Sequence, residues 1–131
     1  MTSCAAPNKK APYTLRIKLD GLPKMSNQLL RGHWRVKHAH ALKWKLAVSL
    51  ACHGLKPRQP LEQATLCLTR VSSHQPDSDG LVSGFKAVID GLVECGVLAG
   101  DKPKHIGFPE FKWAKCAPGK GHVIVEVKEV V

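Results

Sequence analysis

Ala64-Thr65-Leu66-Cys67-Leu68-Thr69-Arg70-Val71, then Pro76-Asp77-Ser78-Asp79-Gly80-Leu81, then Phe85, Val88, Ile89 and Leu92: this stretch decides the fold. Its first segment reads as a strand, with Leu66, Leu68 and Val71 apolar and Cys67 and Thr69 between them. The acidic residues follow directly, in a loop. Leu81, Phe85, Val88, Ile89 and Leu92 then recur at i, i+4, i+7, i+8 and i+11, the period of one helix. Gly84 and Gly91 lower the propensity of that helix and point to close packing, and Gly96 is its expected stop.

Working outward, Tyr13, Leu15, Ile17 and Leu19 alternate with Thr14, Arg16 and Lys18, a period-2 strand with one wet, basic face. Asp20–Gly32 reads as a loop. From Trp34 to about Cys52 there is no Pro or Gly, and Leu42, Leu46, Ala47 and Leu50 recur at helical spacing, so a long basic helix is expected to end at Gly54. Downstream, Lys104–Trp113 and His122–Val130 read as two strands, joined by a hairpin through Ala117-Pro118-Gly119-Lys120-Gly121. The order β-α-β-α-β-β predicts an α/β (α+β) fold, a small mixed sheet with two main helices packed on it. Residues 1–12 read as a flexible lead-in and 13–131 as a single domain.

The charge is lopsided. Of 131 residues, 20 are Lys or Arg and 10 are Asp or Glu, a formal net charge of +10. Residues 1–58 hold twelve of the cations and a single acid, Asp20, whereas Asp77, Asp79, Asp90, Glu94 and Asp101 crowd into 77–101. A field of this sign attracts nucleic acid or another polyanion. The hydrophobic content of 44% is that of an ordinary globular chain. Five widely spaced cysteines without a Cys-x-x-Cys pair form neither a disulfide framework nor a zinc module, which predicts reduced thiols and a soluble intracellular protein. The longest apolar-leaning run, Leu46–Cys52, is too short to span a bilayer.

Two carboxylates one residue apart, a helix, and then Asp101 make a plausible divalent-metal site. Mg²⁺ takes oxygen ligands and keeps several waters, so two or three carboxylates with phosphate oxygens complete its shell. In an extended Asp77-x-Asp79 both side chains point the same way. A metal held there polarises a phosphodiester and activates water. Asp-x-Asp pairs are also common in solvated turns, and spacing alone does not separate the two.

The motifs together, Asp77-Ser-Asp79-Gly-Leu, Phe85-Lys86-Ala-Val-Ile-Asp90-Gly-Leu and Gly96-Val-Leu-Ala-Gly-Asp101-Lys, resemble the RusA family of Holliday-junction resolvases, common in phages and prophages. Leu22-Pro-Lys-Met-Ser-Asn27 and the Trp34–Leu50 helix agree with it more weakly. The resemblance implies a small α/β nuclease domain acting as a homodimer in the cytoplasm of a bacterium or phage-infected cell. Its substrate would be a four-way DNA junction, cut by paired symmetric nicks, with no small-molecule substrate and no membrane partner. It implies Asp77, Asp79 and Asp101 as Mg²⁺ ligands, with Mn²⁺ as a possible substitute, and these three with Lys86 as the catalytic set. Candidate DNA contacts are Lys24, Asn27, Arg31, His33, Arg35, Lys37, Lys43, Lys102 and Lys104. Two residues depart from the family pattern. Gly80 stands where Asn is usual, and Gly100 replaces the first of an Asp pair, leaving Asp101 at the catalytic position.

Each feature has a plainer counterpart. Lys86 and Asp90, four apart, are the spacing of a solvent-exposed helical charge pair. Trp34 and Trp44 suit core packing as well as base stacking. His33, His38 and His40 lack zinc-ligand spacing. The rival readings are a nuclease for other branched or duplex DNA, a catalytically silent junction-binding protein, and a membrane-surface binder using the basic helix.

Overall fold

A computed structural model describes residues 12–23 and 34–130. Four strands, β1 (Thr14–Asp20), β2 (Ala64–Ser72), β3 (Glu110–Lys115) and β4 (His122–Glu129), form one mixed sheet in the order β1-β4-β2-β3. The helices are α1 (Trp34–Ala51), α2 (Ser78–Ser83), α3 (Lys86–Glu94) and the single turn α4 (Pro103–Ile106). Two of them, α1 and α3, are the main helices, giving the expected α+β architecture. β4 runs antiparallel to both its neighbours, and β2 and β3 are parallel.

Strand alternation builds the core. Leu15, Ile17 and Leu19 of β1, Val123, Val125 and Val127 of β4, and Leu66 and Leu68 of β2 all turn to one face. There they meet Trp44 and Val48 of α1, Phe85, and Val88 and Leu92 of α3. On the alternate positions, Thr14, Arg16, Lys18 and Asp20 are exposed, as the wet face of β1 requires.

The expected hairpin does not form. Residues 103–106 turn as α4, the third strand is confined to Glu110–Lys115, and β2 lies between β3 and β4. The link through Gly119 (φ +82°) instead steps over the end of β2, where Cys116 N–H donates to the Ser72 carbonyl at 3.1 Å. Burial explains the choice. The valines of β4 are almost wholly removed from water when both of its edges are paired. The charged β3, with Glu110, Lys112 and Lys115, suits an edge, where charge discourages further pairing.

The single helix expected over 81–92 is also divided. It starts at Ser78 and breaks at Gly84–Phe85, where Gly84 N–H reaches Gly80 O (3.0 Å) and Phe85 N–H reaches Val82 O (3.2 Å). The break swings Phe85 into the core against Phe111, with ring centroids 5.9 Å apart. The stops at Gly54 (φ +78°) and Gly96 (φ +93°) are those the sequence predicts.

Candidate functional site

The acidic motif begins where β2 ends. Ser72 Oγ donates to the His74 carbonyl (2.8 Å) and accepts from Trp113 Nε1 (2.9 Å), which braces the chain as it leaves the sheet. Asp77, in extended backbone (φ −71°, ψ 170°), is the N-cap of α2, and its Oδ1 accepts from Gly80 N–H at 2.7 Å. A capping carboxylate of this kind satisfies one of the unpaired N–H groups of the first turn. Asp79 sits in that first turn, exposed. The pair is therefore a cap and a helical residue, and not the extended Asp-x-Asp whose side chains point one way.

Asp101 lies at the other end of β2. Leu61, three residues before the strand, forms a parallel bridge with Leu98 through Leu61 N–H to Val97 O and Ala99 N–H to Leu61 O, both 2.9 Å. The chain then passes through Gly100 and the exposed Asp101 into α4. His105 Nδ1–H donates to the Glu62 carbonyl (2.9 Å), which fixes that tautomer and ties α4 to the same end. The nine residues of β2 that separate the two ends span about 25–30 Å at the usual rise of a strand. Among the described residues no group of three or more His, Cys, Asp or Glu side chains gathers in a way that holds a metal ion.

Gly80 is buried, and its carbonyl lies 3.1 Å from where a Cβ on Gly84 would sit, so the chain is tight at Gly84, where α2 ends. At Gly100 a Cβ would fall 2.6 Å from the His105 ring, so this histidine fills the space where a side chain would begin.

Lys86 opens α3, three-quarters exposed, with its Nζ 3.8 Å from Asp90 Oδ2. That is the surface pair its spacing predicts. Lys45 of α1 pairs with Glu94 of α3, and the hydrogen bond to Glu94 raises its pKa above the usual lysine value. Arg35, Lys37 and Lys43 on α1 and Lys102 and Lys104 around α4 are all exposed. Lys24, Asn27, Arg31 and His33 lie outside the described residues. α1 is not simply basic on its solvent side, since Leu42, Leu46 and Leu50 are exposed there at i, i+4 and i+8. Its cations flank a leucine stripe.

A groove of about 790 Å³ crosses one end of the sheet, lined among others by Arg16, Lys104, Lys112, Lys128 and the 92% exposed Phe108. Neither Asp77, Asp79, Lys86 nor Asp101 lines it.

Two features escaped the sequence reading. Arg70 lies on the core face of β2, 9% exposed, with Nη1 donating to the Pro23 carbonyl at 2.9 Å; burial lowers its pKa. The alternation of β2 carries that signal, because Arg70 stands on the Leu66/Leu68 face where an apolar residue is expected. The other feature is Cys52, wholly buried in the core where α1 closes, with the partly buried Cys95 packed against the same core. No protein-family model matches this chain, and no curated protein matches it. Among the described residues no helix is long and apolar enough to cross a membrane.

Proposed function

We propose that this chain is an endonuclease of branched DNA, with the four-way junction as first substrate, working as a homodimer by phosphodiester hydrolysis. The observation that carries the reading is an ordered set of motifs on one crossover between the parallel strands β2 and β3. Asp77 and Asp79 stand at its beginning, Lys86 and Asp90 in its middle and Asp101 near its close. The resemblance to junction resolvases attaches to those positions, and the net charge of +10 supplies attraction for a polyanion. The metal role of the three aspartates rests on the motif, not on the single-chain geometry.

Arg35, Lys37, Lys43, Lys102 and Lys104 are exposed cations placed to meet phosphates, contacts that position DNA without reading its sequence. If all five engage, affinity falls about 10²–10³-fold between 50 and 200 mM salt, by counterion release.

One observation favours a second reading, a protein that binds junctions without cutting them: the carboxylates stand at opposite ends of β2, and Asp77 is engaged as a helix cap. A single assay separates the two. A synthetic immobile four-way junction is incubated with the protein, with and without Mg²⁺, and products are mapped on every strand. Paired symmetric nicks that need Mg²⁺ support the endonuclease, while retention of the junction without product supports the silent binder. Equal affinity for junction and linear duplex overturns both.

A further inference from the structure

Strand alternation gives the sheet two faces. One is packed into the core, and the other carries Arg16 of β1, Glu126 and Lys128 of β4, Cys67 of β2, and Glu110 and Lys112 of β3. The register sets Arg16, Glu126, Cys67 and Glu110 side by side in one row across all four strands. That row spans about 14 Å at the usual spacing of strands. It lies in the groove of about 790 Å³, which α4 and Phe108 also line.

The cations of this groove are available to an anion. Arg16 meets Glu126 at 3.9 Å and Lys112 meets Glu110 at 3.6 Å, and all four side chains are well exposed. Pairs so long and so wet are weak, so each cation can exchange its carboxylate for a phosphate. Among the described residues Lys104 and Lys128 have no acidic partner. Four cations thus face two acids in the groove, on a chain of net charge +10.

Phe108 is the most exposed large apolar side chain among the described residues, at 92%. The backbone puts it there. Pro103 opens α4, and Gly107 (φ +59°, ψ −137°) closes it with its N–H donating to the Pro103 carbonyl at 2.8 Å. Such a conformation suits glycine and strains any residue with a side chain. The ring therefore stands beside the cations and takes no part in the core.

We propose that this groove binds a single strand of DNA, with a base stacked on Phe108 and backbone phosphates on Arg16, Lys104, Lys112 and Lys128. An aromatic ring among cations grips unstacked bases whatever their sequence, and a four-stranded sheet face takes about two or three of them. A duplex makes no use of the ring, because its bases already stack on one another. The choice of DNA over RNA rests on the endonuclease reading, since a branch point is where unpaired bases arise. The stacking and the charge do not rest on it.

The test titrates the full chain, without Mg²⁺, into an end-labelled oligodeoxythymidylate of about ten nucleotides and reads the anisotropy. Phe108→Ala should weaken binding about 5–150-fold, the loss of one stacked base, and leave affinity for a linear duplex unchanged. Lys128→Gln should lower the salt slope by about 0.7, one phosphate of a single strand. Both residues are exposed, so thermal midpoints should match wild type and lost binding would not be lost structure. If Phe108→Ala binds the oligonucleotide as tightly as wild type, the ring is no base platform and the proposal falls. It falls also if polyglutamate of equal charge displaces the label as well as unlabelled oligonucleotide does. Tighter binding of oligouridylate would assign the groove to RNA and overturn the choice of DNA. No cleavage enters these titrations, so a junction left uncut does not touch them, and their failure leaves the junction assay standing.

Discussion

The two ends of β2 are built differently. At its C-terminal end the chain is braced by side chains: Trp113 to Ser72, Ser72 to His74, and Asp77 capping α2. At its N-terminal end the bracing is mostly backbone, through the Leu61–Leu98 bridge, with His105 clasping Glu62 from the side. Carboxylates stand at both ends, but they differ in freedom. All three are exposed, but Asp77 is engaged by its own helix. The contrast teaches that a motif continuous along a crossover need not be continuous in space, because α2 and α3 carry the chain back along the sheet between its parts.

The sharpest way to break this contrast is to neutralise each end in turn. Under the endonuclease reading Asp79→Asn should lower junction cleavage by about 100-fold or more, the scale on which a key electrostatic partner of a transition state is lost. Junction binding should be unchanged or tighter, because a negative charge near phosphate is gone. If Asp101→Asn in the same gel assay cuts at the wild-type rate, the N-terminal end is not part of the chemistry. Neither exposed residue holds the fold, so thermal midpoints of both variants should match wild type, and lost activity would not be lost structure.

Next in size is placing an aspartate at position 100. A Cβ there would meet the His105 ring at 2.6 Å. Gly100→Asp should therefore displace the ring from Glu62 and cost about 1–3 kcal/mol, the usual penalty of overpacking, measured by urea unfolding. Retention of full stability would mean that His105 swings aside freely and that its hydrogen bond to Glu62 contributes little. At the opposite end Asp77→Ala removes the cap of α2 and should cost about 1 kcal/mol. Asp77→Ser, which keeps a capping oxygen, should recover most of it. Cleavage lost in Asp77→Ser despite recovered stability would separate a role in chemistry from the role as a cap.

Much of this was legible before folding. The strand at Tyr13–Leu19, the helix from Trp34, the stop glycines and the alternation of Val123, Val125 and Val127 are local patterns, and the chain follows them. Partner choice among strands was not legible. β4 lies beside β2 instead of β3 because burying three valines between two neighbours outweighs the short link through Gly119, a competition no local pattern records. The helix break at Phe85 has the same origin, since Phe111 recruits that ring from a distant strand. In the candidate site the residue types were readable and their meeting was not. Asp77 found its partner three residues away at Gly80.

Lys86 makes the finest test, since it lies on the helix that links the two ends. Its side chain is three-quarters exposed and its pairing with Asp90, at 3.8 Å, is long. Exposed pairs at this spacing contribute about 0.3–0.5 kcal/mol, and salt screens them further. Lys86→Ala should therefore shift the urea midpoint barely at all. A lysine used as a surface partner has no further role, so junction affinity and cleavage should then also be unchanged. A lysine that meets phosphate should weaken junction binding uniformly across sequences and lower the salt slope by about one. The slope distinguishes these cases where stability does not. A slope unchanged in Lys86→Ala but reduced in Lys104→Ala would assign DNA contact to the N-terminal end of β2 and leave α3 as scaffold.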